Sequence, residues 1–198
     1  QEVAALVGQL CGRTFDVEYL AYRSAFAREA GFDPLDAPRA TLDSAAAALG
    51  LAAREVTASS RDELLELVMG AQVGPRLGAG KLTFVHSYPA TQAALARVDA
   101  ADPRVARRFE LYADGIELAN GFDELADVAE QRARFEADLR ERARRGLPQG
   151  RVDERLLAAR AAGLPACAGV AVGFDRVLMI ACGAAHIDAV LPFALERA

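Results

Sequence analysis

Polar side chains interrupt an otherwise apolar, strand-like segment in the second half of the chain, GIELANGFDEL at 115–125. Three of them, Glu117, Asn120 and Glu124, could carry chemistry. Two carboxylates that converge on one cavity suit a hard divalent cation such as Mg²⁺, which takes a few carboxylate oxygens and completes its shell with water and phosphate. Positions seven apart on a regular strand point to opposite faces. We predict that a kink or bulge at Asn120-Gly121 shifts the register and brings the two glutamates to one side.

The same spacing has a simpler interpretation, in which both glutamates face outward and Asn120-Gly121 forms a turn. A second segment, GVAVGFDRVL at 169–178, argues for the functional interpretation. There a glycine-bracketed apolar strand enters a helix with Arg176 in its first turn. Glycine lets a ligand approach the backbone, and an arginine near a helix N-terminus adds to the partial positive charge there, which suits a polyphosphate. The alternative is a surface arginine after a plain turn at Gly173.

Together the two segments resemble motif 3 of class II aminoacyl-tRNA synthetases and the strand before it, and GIELANGFDEL is closest to the lysyl branch. Within that branch the chain is most similar to the ligases that attach β-lysine to elongation factor P, which lack the anticodon-binding domain. Four stretches carry this resemblance: 84–95, 105–124, 144–149 and 163–179. The specific motifs cover nearly all of 81–198, and the region before it matches more loosely.

The resemblance implies roles for individual residues. Glu117 and Leu118 match residues that contact ATP, and the Glu117 carboxylate is expected on a bound Mg²⁺. Glu124 matches an acidic residue associated with the lysine substrate and a metal. Gly173 matches the motif 3 glycine beside the nucleotide. Arg176 matches the arginine that packs on adenine and faces the γ-phosphate, which suits its planar face and forked donors. Glu117 and Arg176 are therefore the expected catalytic residues.

Four further positions are expected around the amino-acid substrate. Asn120 is predicted to be its polar neighbour. The loop YPATQ at 88–92 matches the family's YP or FPxSQ segment, with Thr where Ser is usual, so Tyr88 and Gln92 are predicted substrate contacts. Ala171 replaces a glycine that lysyl-tRNA synthetases usually have, and its methyl group would alter the space around the substrate's α-carbon. This difference favours a β-lysine ligase.

The resemblance implies an ATP-dependent ligase that forms an adenylate of (R)-β-lysine or lysine and transfers it to a lysine of elongation factor P. ATP and Mg²⁺ are the expected cofactors, and the full-length protein is expected to be a homodimer. Two alternatives stay open: a catalytic fragment of lysyl-tRNA synthetase, with tRNA as the acceptor, and a non-catalytic synthetase-like protein that only binds or regulates.

Motif 1, which builds the dimer interface in this family, and motif 2, whose Arg and Glu bind the α-phosphate and adenine, are absent from the sequence. We therefore interpret 1–198 as the C-terminal portion of one catalytic domain. By itself the chain is expected to have little or no adenylate-forming activity.

The predicted site residues need a sheet with flanking helices to position them. The fold class that the resemblance implies is α+β, with part of the antiparallel sheet of class II synthetases and helices on its faces. A helical region is predicted over 1–80, and a capping box of Ser60 and Glu63 is expected to begin its last helix. The sheet and motif 3 are predicted over 81–198, with a hairpin turn at Asp114-Gly115. Helices are predicted at 17–30, 41–49, 61–73, 126–145, 152–162 and 174–182, strands at 82–88, 108–113, 116–122 and 169–172, and an apolar closing segment at 187–193.

Composition narrows the classes of function. No run of about 18 apolar residues occurs and the first ten residues lack a signal-peptide pattern, so neither a membrane span nor secretion is expected, and a cytoplasmic location is predicted. The net charge of −5 disfavours an extended basic face for nucleic acid. The cysteines Cys11, Cys167 and Cys182 are odd in number and lie among apolar neighbours, which predicts buried free thiols.

Overall fold

The structure is a computed structural model that describes residues 1–194. A five-stranded sheet has the order β1-β2-β3-β4-β5, with β1 Val17–Ala21, β2 Leu82–Pro89, β3 Val105–Ala113, β4 Ile116–Asp123 and β5 Ala168–Val172. The helices are α1 Glu2–Cys11, α2 Tyr22–Glu29, α3 Arg39–Ala48, α4 Ala53–Ala58, α5 Arg61–Val68, α6 Val128–Arg144, α7 Glu154–Ala161 and α8 Phe174–Cys182. A π-helical turn, Met69–Val73, continues α5, and short 3-10 turns occupy Gly74–Arg76, Ala90–Gln92 and Ile187–Ala189.

The sheet is mixed, because β1 runs parallel to β2 while the other three pairs are antiparallel. The predicted helix at 17–30 is therefore wrong in its first part, and the region 1–80 is not wholly helical. Residues 17–21 form a strand because they pair with β2. Tyr19 lies opposite Phe84, and the two rings stack with centroids 5.2 Å apart. Such a long-range partner is invisible to local periodicity. Helix α1 lies within the predicted helical region but was not among the individual helices predicted.

The local turn and cap signals are confirmed. Asp114 and Gly115 both have positive φ, 47° and 78°, as a two-residue hairpin loop of the primed type requires. At the start of α5, Ser60 accepts from the amide of Glu63, and the Glu63 carboxylate accepts from the amide of Ser60. The helices predicted at 126–145, 152–162 and 174–182 form as α6, α7 and α8 within two residues of the predicted ends.

Each face of the sheet carries its own core. Helices α2 to α5 cover one face with a cluster that includes Tyr22, Phe26, Leu64, Tyr88 and Tyr112. Helices α1 and α8 cover the other with a cluster that includes Val7, Leu82, Leu111, Leu118 and Val177. The second cluster holds α8 against β4, and this contact fixes the position of the predicted motif 3 helix.

The prediction of buried cysteines is wrong for two of the three. Cys167 and Cys182 are exposed, and only Cys11 is partly buried, with its Sγ 3.8 Å from the carbonyl oxygen of Val177. Cys167 precedes β5, an edge strand, and Cys182 ends α8 beyond the buried Met179. Apolar sequence neighbours did not reveal which side of each element faces the core.

Among residues 1–194, no helix combines the length and apolar character needed to cross a bilayer.

Candidate active site

A β-bulge in β4 sets the direction of Glu117. Tyr112 of β3 pairs with Glu117, whereas the preceding Leu111 pairs with Ala119, so Leu118 is the extra residue on β4. One extra residue reverses the alternation of side chains beyond it. Glu117 therefore points to the face that also carries Tyr112.

The predicted bulge at Asn120-Gly121 is wrong in position, because both residues pair in regular register with β3 and β5. The predicted consequence nevertheless follows from the bulge two residues earlier. Asn120 and Glu124 keep the same alternation after it, and a Cβ on the neighbouring Gly169 would lie 2.7 Å from Oε1 of Glu124. Glu117, Asn120 and Glu124 thus share one face of the sheet.

The side chain of Leu118 turns to the opposite face, where it is 1% exposed and packs against α8. Its carbonyl accepts a hydrogen bond from the amide of Gly173 at 2.8 Å. The bulge and the N-terminus of α8 are therefore joined directly, and any contact of Leu118 with a nucleotide would have to use its main chain.

The structure itself does not require a glycine at position 173. Its φ is −75°, so the backbone does not require glycine, and an added Cβ would meet only ordinary contacts, 3.5 Å from Cδ of Arg176 and 3.6 Å from the carbonyl of Leu118. Neither backbone geometry nor packing within the chain explains the residue. Close approach of a ligand to the backbone is the remaining reason for a glycine here.

Arg176 lies over the bulge. Its Nη1 donates a hydrogen bond to the main-chain carbonyl of Glu117 at 2.9 Å and is 3.5 Å from Oε2 of the same residue. About half of its side chain remains exposed, 48%, so a ligand in solvent can reach it. The sequence prediction that Glu117, Gly173 and Arg176 lie together is consistent with this geometry.

Two adjoining cavities open beside this junction. One, of about 330 Å³, is lined by Arg176, Gly74, Pro75 and Gly115 among others. The second, of about 240 Å³, reaches toward α2 and α5. Glu117 and Tyr112 line both of them, together with Met69 and Gly70. We call them the Arg176 cavity and the Tyr22 cavity.

A buried carboxylate that sequence reasoning missed, Glu110, stands between the cavities and the core. The hydroxyls of Tyr88 and Tyr112 each donate to its Oε2 at 2.6 Å, and Nη2 of Arg108 donates to its Oε1 at 2.6 Å. Burial, reinforced by Glu110, raises the pKa of the Tyr88 hydroxyl well above its usual range, so it stays a donor. A signal existed in the sequence: Arg108, Glu110 and Tyr112 alternate with apolar residues on one strand and must share a face.

Glu110 and Glu117 line the Tyr22 cavity together. Burial raises the pKa of the Glu117 carboxyl, and the charge of Glu110 raises it further, while Arg176 opposes both. A cation between two such carboxylates would relieve their repulsion. Among residues 1–194, no three His, Cys, Asp or Glu side chains are grouped as a metal site. Glu110 and Glu117 supply two carboxylates to one cavity, and carboxylate oxygens are ligands that Mg²⁺ prefers.

The sequence profile of class II tRNA synthetases (D, K and N) matches residues 52–197, which is most of the chain. The chain belongs to this family. Its α+β fold, predicted from motif 3, is that of a class II synthetase domain. It is 52% identical over 181 residues to the elongation factor P–(R)-β-lysine ligase of Klebsiella pneumoniae subsp. pneumoniae, and 50% identical to the ligase of that name from Salmonella dublin. Each comparison covers 91% of this chain and 56% of the relative, so the chain spans just over half the length of these curated relatives.

In this class II synthetase fold, the predicted substrate residues Asn120, Glu124 and Ala171 meet where β4 and β5 pair. Asn120 lies opposite Ala171, and its buried Oδ1 has no hydrogen-bond partner among residues 1–194. Oε2 of Glu124 is 3.6 Å from Nη2 of Arg160. Glu124 lines neither of the two cavities, and its predicted role as a second metal ligand stays a prediction.

Tyr88 and Gln92, the other predicted substrate contacts, both line the Tyr22 cavity. Both residues also make hydrogen bonds within the synthetase domain. The Tyr88 hydroxyl donates to Glu110, the Gln92 side-chain amide donates weakly to the main-chain carbonyl of Asp62 at 3.4 Å, and the main-chain carbonyl of Gln92 accepts from Arg108. Both residues therefore shape the cavity wall, and their substrate contacts stay predictions.

Proposed function

We propose that this domain is the C-terminal portion of an ATP-dependent ligase that activates (R)-β-lysine or lysine as an adenylate and transfers it to a lysine of elongation factor P. The observation that carries the proposal is the junction of Arg176, Gly173 and Glu117. There a glycine that neither the backbone conformation nor the neighbouring contacts require lies beside a half-exposed guanidinium and a carboxylate. Relatives that are about half identical to the chain bear this activity in their names.

The nucleotide side of the site is the Arg176 cavity. The planar guanidinium offers a stacking face and free donors for phosphate, and Gly173 allows close approach of the ligand. Glu110 and Glu117 would hold Mg²⁺, which when bound supplies positive charge that offsets the phosphate oxygens. Tyr88, Tyr112 and Arg108 keep Glu110 in one orientation through three hydrogen bonds.

The amino-acid side follows β4 from Glu117 to Glu124. Glu124 would attract an ammonium group of the substrate, and the unpartnered Oδ1 of Asn120 would accept a hydrogen bond from it. The methyl group of Ala171, opposite Asn120 in the sheet, occupies space that a glycine would leave free. That loss of space is the feature that favours a β-amino acid over an α-amino acid.

The chemistry needs positioning and electrostatic stabilisation more than proton transfer. The amino-acid carboxylate attacks the α-phosphorus of ATP, and pyrophosphate leaves. The amine of the acceptor lysine then attacks the acyl carbon, an amide bond forms, AMP leaves and the amine loses a proton. The residues of this chain would hold the reactants in line and stabilise charge on the phosphate.

Lysyl-tRNA synthesis is a second candidate, because the matching family includes the lysyl-tRNA synthetases. The two activities differ in the acceptor, and an assay of the full-length protein separates them. ATP–pyrophosphate exchange with (R)-β-lysine and with lysine measures activation, and mass spectrometry of elongation factor P measures transfer. A full-length protein that prefers α-lysine, charges tRNA and leaves elongation factor P unmodified would overturn the ligase proposal. A protein with neither activity would be a non-catalytic binder.

Two further expectations belong to the same proposal. The full-length protein should be a homodimer, which sedimentation measures directly. The 198-residue chain alone should show little or no pyrophosphate exchange, because motif 2 is not in its sequence.

A further inference from the structure

The segment 140–151, which ends α6 and leads toward α7, is the most basic stretch of the chain. It contains five arginines and one carboxylate, that of Glu141, in a protein whose net charge is −5. Every residue of the segment is exposed. The segment includes RRGLPQ at 144–149, which carries part of the family resemblance and has no role in the candidate active site. We call residues 140–151 the arginine segment.

The middle of the arginine segment is an ordered turn. Gly146 has a φ of 66°, and the amide of Leu147 donates to the carbonyl of Arg142, so α6 ends in a left-handed glycine cap. The guanidinium of Arg142 donates to the main-chain carbonyl of Pro148, through Nε at 2.9 Å and Nη2 at 2.7 Å. Leu147 follows the glycine and is 40% exposed. The turn therefore holds its arginines and an exposed leucine in a defined arrangement.

Much of the positive charge of the arginine segment is not neutralised within the chain. Three of the five arginines have no ion-pair partner among residues 1–194: Arg140, Arg142 and Arg151. Arg144 pairs with Glu141, the carboxylate inside the segment. The helix dipole favours cations in the last turn of α6, but Arg151 lies well beyond the end of that helix. Exposed cations without partners suit an anionic ligand.

The arginine segment lies beside the opening of the candidate active site. Nη2 of Arg145 is 2.5 Å from Oε1 of Glu63, in the first turn of α5. Glu66 comes three residues later, on a neighbouring position of the helix surface, and is an exposed residue that lines the Tyr22 cavity. Glu117 lines the same cavity. The segment is therefore about one helical turn from the place where this cavity reaches solvent.

We propose that the arginine segment binds the acceptor protein, through an acidic face next to the lysine that is modified. The proposal rests on the proposed function and deepens it. A lysine side chain is a four-carbon stem, so once its amine has entered the cavity the rest of its protein must lie against the surface around the opening. There the unpaired guanidinium groups bind carboxylates of that protein, and Leu147 adds an apolar contact.

A nucleic acid fits this surface less well than an acidic protein does. A phosphate backbone is charged at every nucleotide and needs cations along an extended face. The arginines instead occupy one short segment, and exposed carboxylates flank it on both sides, Asp138 on α6 and Asp153 at the start of α7. The exposed Leu147 also has no matching group on a phosphate backbone. These features favour a protein as the partner.

Charge reversal at Arg140 and Arg151 separates binding of the acceptor from the activation step. In the full-length protein, Arg140→Glu and Arg151→Glu together should lower kcat/KM for modification of elongation factor P about tenfold, measured by mass spectrometry. Pyrophosphate exchange needs no acceptor, so its rate should be unchanged, as should the melting temperature. The matched control is Arg13→Glu, at an exposed arginine that follows α1 on the opposite face of the sheet.

Ionic strength gives a second readout. Modification by the wild-type protein should slow as the salt concentration rises, because salt screens contacts between exposed charges, and the double variant should depend on salt less. The proposal is overturned if the double variant modifies elongation factor P as well as the wild type does. It is also overturned if pyrophosphate exchange falls in parallel, or if the variant loses tRNA charging while it keeps protein modification, which assigns the segment to RNA.

A wild-type protein that transfers nothing to elongation factor P would overturn the proposed function, and direct binding then tests the arginine segment. Calorimetry of the full-length protein with elongation factor P, in the absence of ATP, measures binding without chemistry. Binding that weakens about tenfold in the double variant, but not in Arg13→Glu, sustains the proposal. No binding, or equal affinity for the wild type and the double variant, overturns it.

Discussion

The guanidinium of Arg176 and the main-chain carbonyl of Glu117 are joined by a hydrogen bond of 2.9 Å, which links the first turn of α8 to the bulge in β4. Because the acceptor is a main-chain atom, this hydrogen bond does not depend on the ionisation of the Glu117 carboxylate. Oε2 of that carboxylate lies 3.5 Å from the same Nη1, within ion-pair distance, so Arg176 contacts both the main chain and the side chain of Glu117.

Replacement of Arg176 should therefore affect ATP more than folding. We expect Arg176→Ala to lower kcat/KM for ATP on the order of 100-fold, equivalent to about 3 kcal/mol, because a charged donor to phosphate is lost. Arg176→Lys should recover only part of this loss, since lysine lacks the planar fork. Pyrophosphate exchange measures both, and Arg140→Ala on the exposed side of α6 is the control. An Arg176→Ala protein with wild-type kcat/KM would exclude the assigned role.

The two tyrosines that donate to Glu110 should contribute to stability, unlike Tyr22. We expect Tyr112→Phe to lower the free energy of unfolding by about 1–3 kcal/mol, because a buried carboxylate loses one of its donors. Tyr22→Phe serves as the matched control, since its hydroxyl has no partner among residues 1–194. Chemical denaturation of the full-length protein measures the difference, and equal stabilities for the two variants would contradict the network.

Gly121 should tolerate no side chain. A Cβ there would lie 2.3 Å from Cε1 of Phe109 and 3.1 Å from the carbonyl of Gly169, so the ring and an adjacent strand would both have to move. We expect Gly121→Ala to cost about 1–3 kcal/mol of stability. Gly150→Ala is the control, because a Cβ at that position would meet nothing within 4 Å. Thermal unfolding compares the two variants, and an unchanged melting temperature for Gly121→Ala would argue against this packing.

A change at Gly169 tests the proposed substrate role of Glu124 without altering its charge. A Cβ at Gly169 would lie 2.7 Å from Oε1 of Glu124, which can swing away because it ends a flexible side chain. We expect Gly169→Ala to raise the KM for the amino acid about tenfold with little change in melting temperature, and Glu124→Gln to do the same. If neither substitution changes the amino-acid KM, Glu124 does not bind the substrate.

The capping box of α5 should make stability depend on pH. The amide of Ser60 donates to the Glu63 carboxylate and, with the Ser60 hydroxyl and Arg145, lowers the pKa of that carboxyl. A carboxyl group whose pKa is lower in the folded state than in the unfolded state stabilises the fold when the pH is above the unfolded-state pKa. This stabilisation is lost as the pH falls through the folded-state pKa. Glu63→Gln should therefore cost about 0.5 kcal/mol at pH 7, and the difference should shrink below about pH 4. Denaturation at both pH values measures it, and a pH-independent difference would contradict the prediction.

Ser60→Ala provides the contrast. It removes the hydroxyl, one of the groups that lower the Glu63 pKa, but keeps the amide that donates to Glu63, so its cost should vary with pH less than that of Glu63→Gln.

Sequence signals that act within a few residues were sufficient to predict many of the turns and helix ends of the fold. The turn at Asp114-Gly115 and the capping box at Ser60 depend on side-chain and backbone preferences of adjacent positions. The strand and the helix on either side of Gly173 were also predicted correctly, because an apolar run and a glycine that ends it are signals within a few neighbouring residues. By contrast, β1 was predicted as helix, since its pairing partner lies more than 60 residues away in β2.

The sequence by itself determined the family and the two segments, 115–125 and 169–178, that carry its motif 3 pattern. Tertiary structure decided the rest, including the sheet face that Glu117 and Glu124 share, because that face depends on where the bulge falls. The bulge falls at Leu118 because the register with β3 and the contact with α8 place it there, and Glu110 joins Glu117 only because β3 pairs beside β4. Glu124 pairs with Arg160, a residue of α7. Register, burial and cavity walls depend on partners distant in the chain, and no local pattern specifies them.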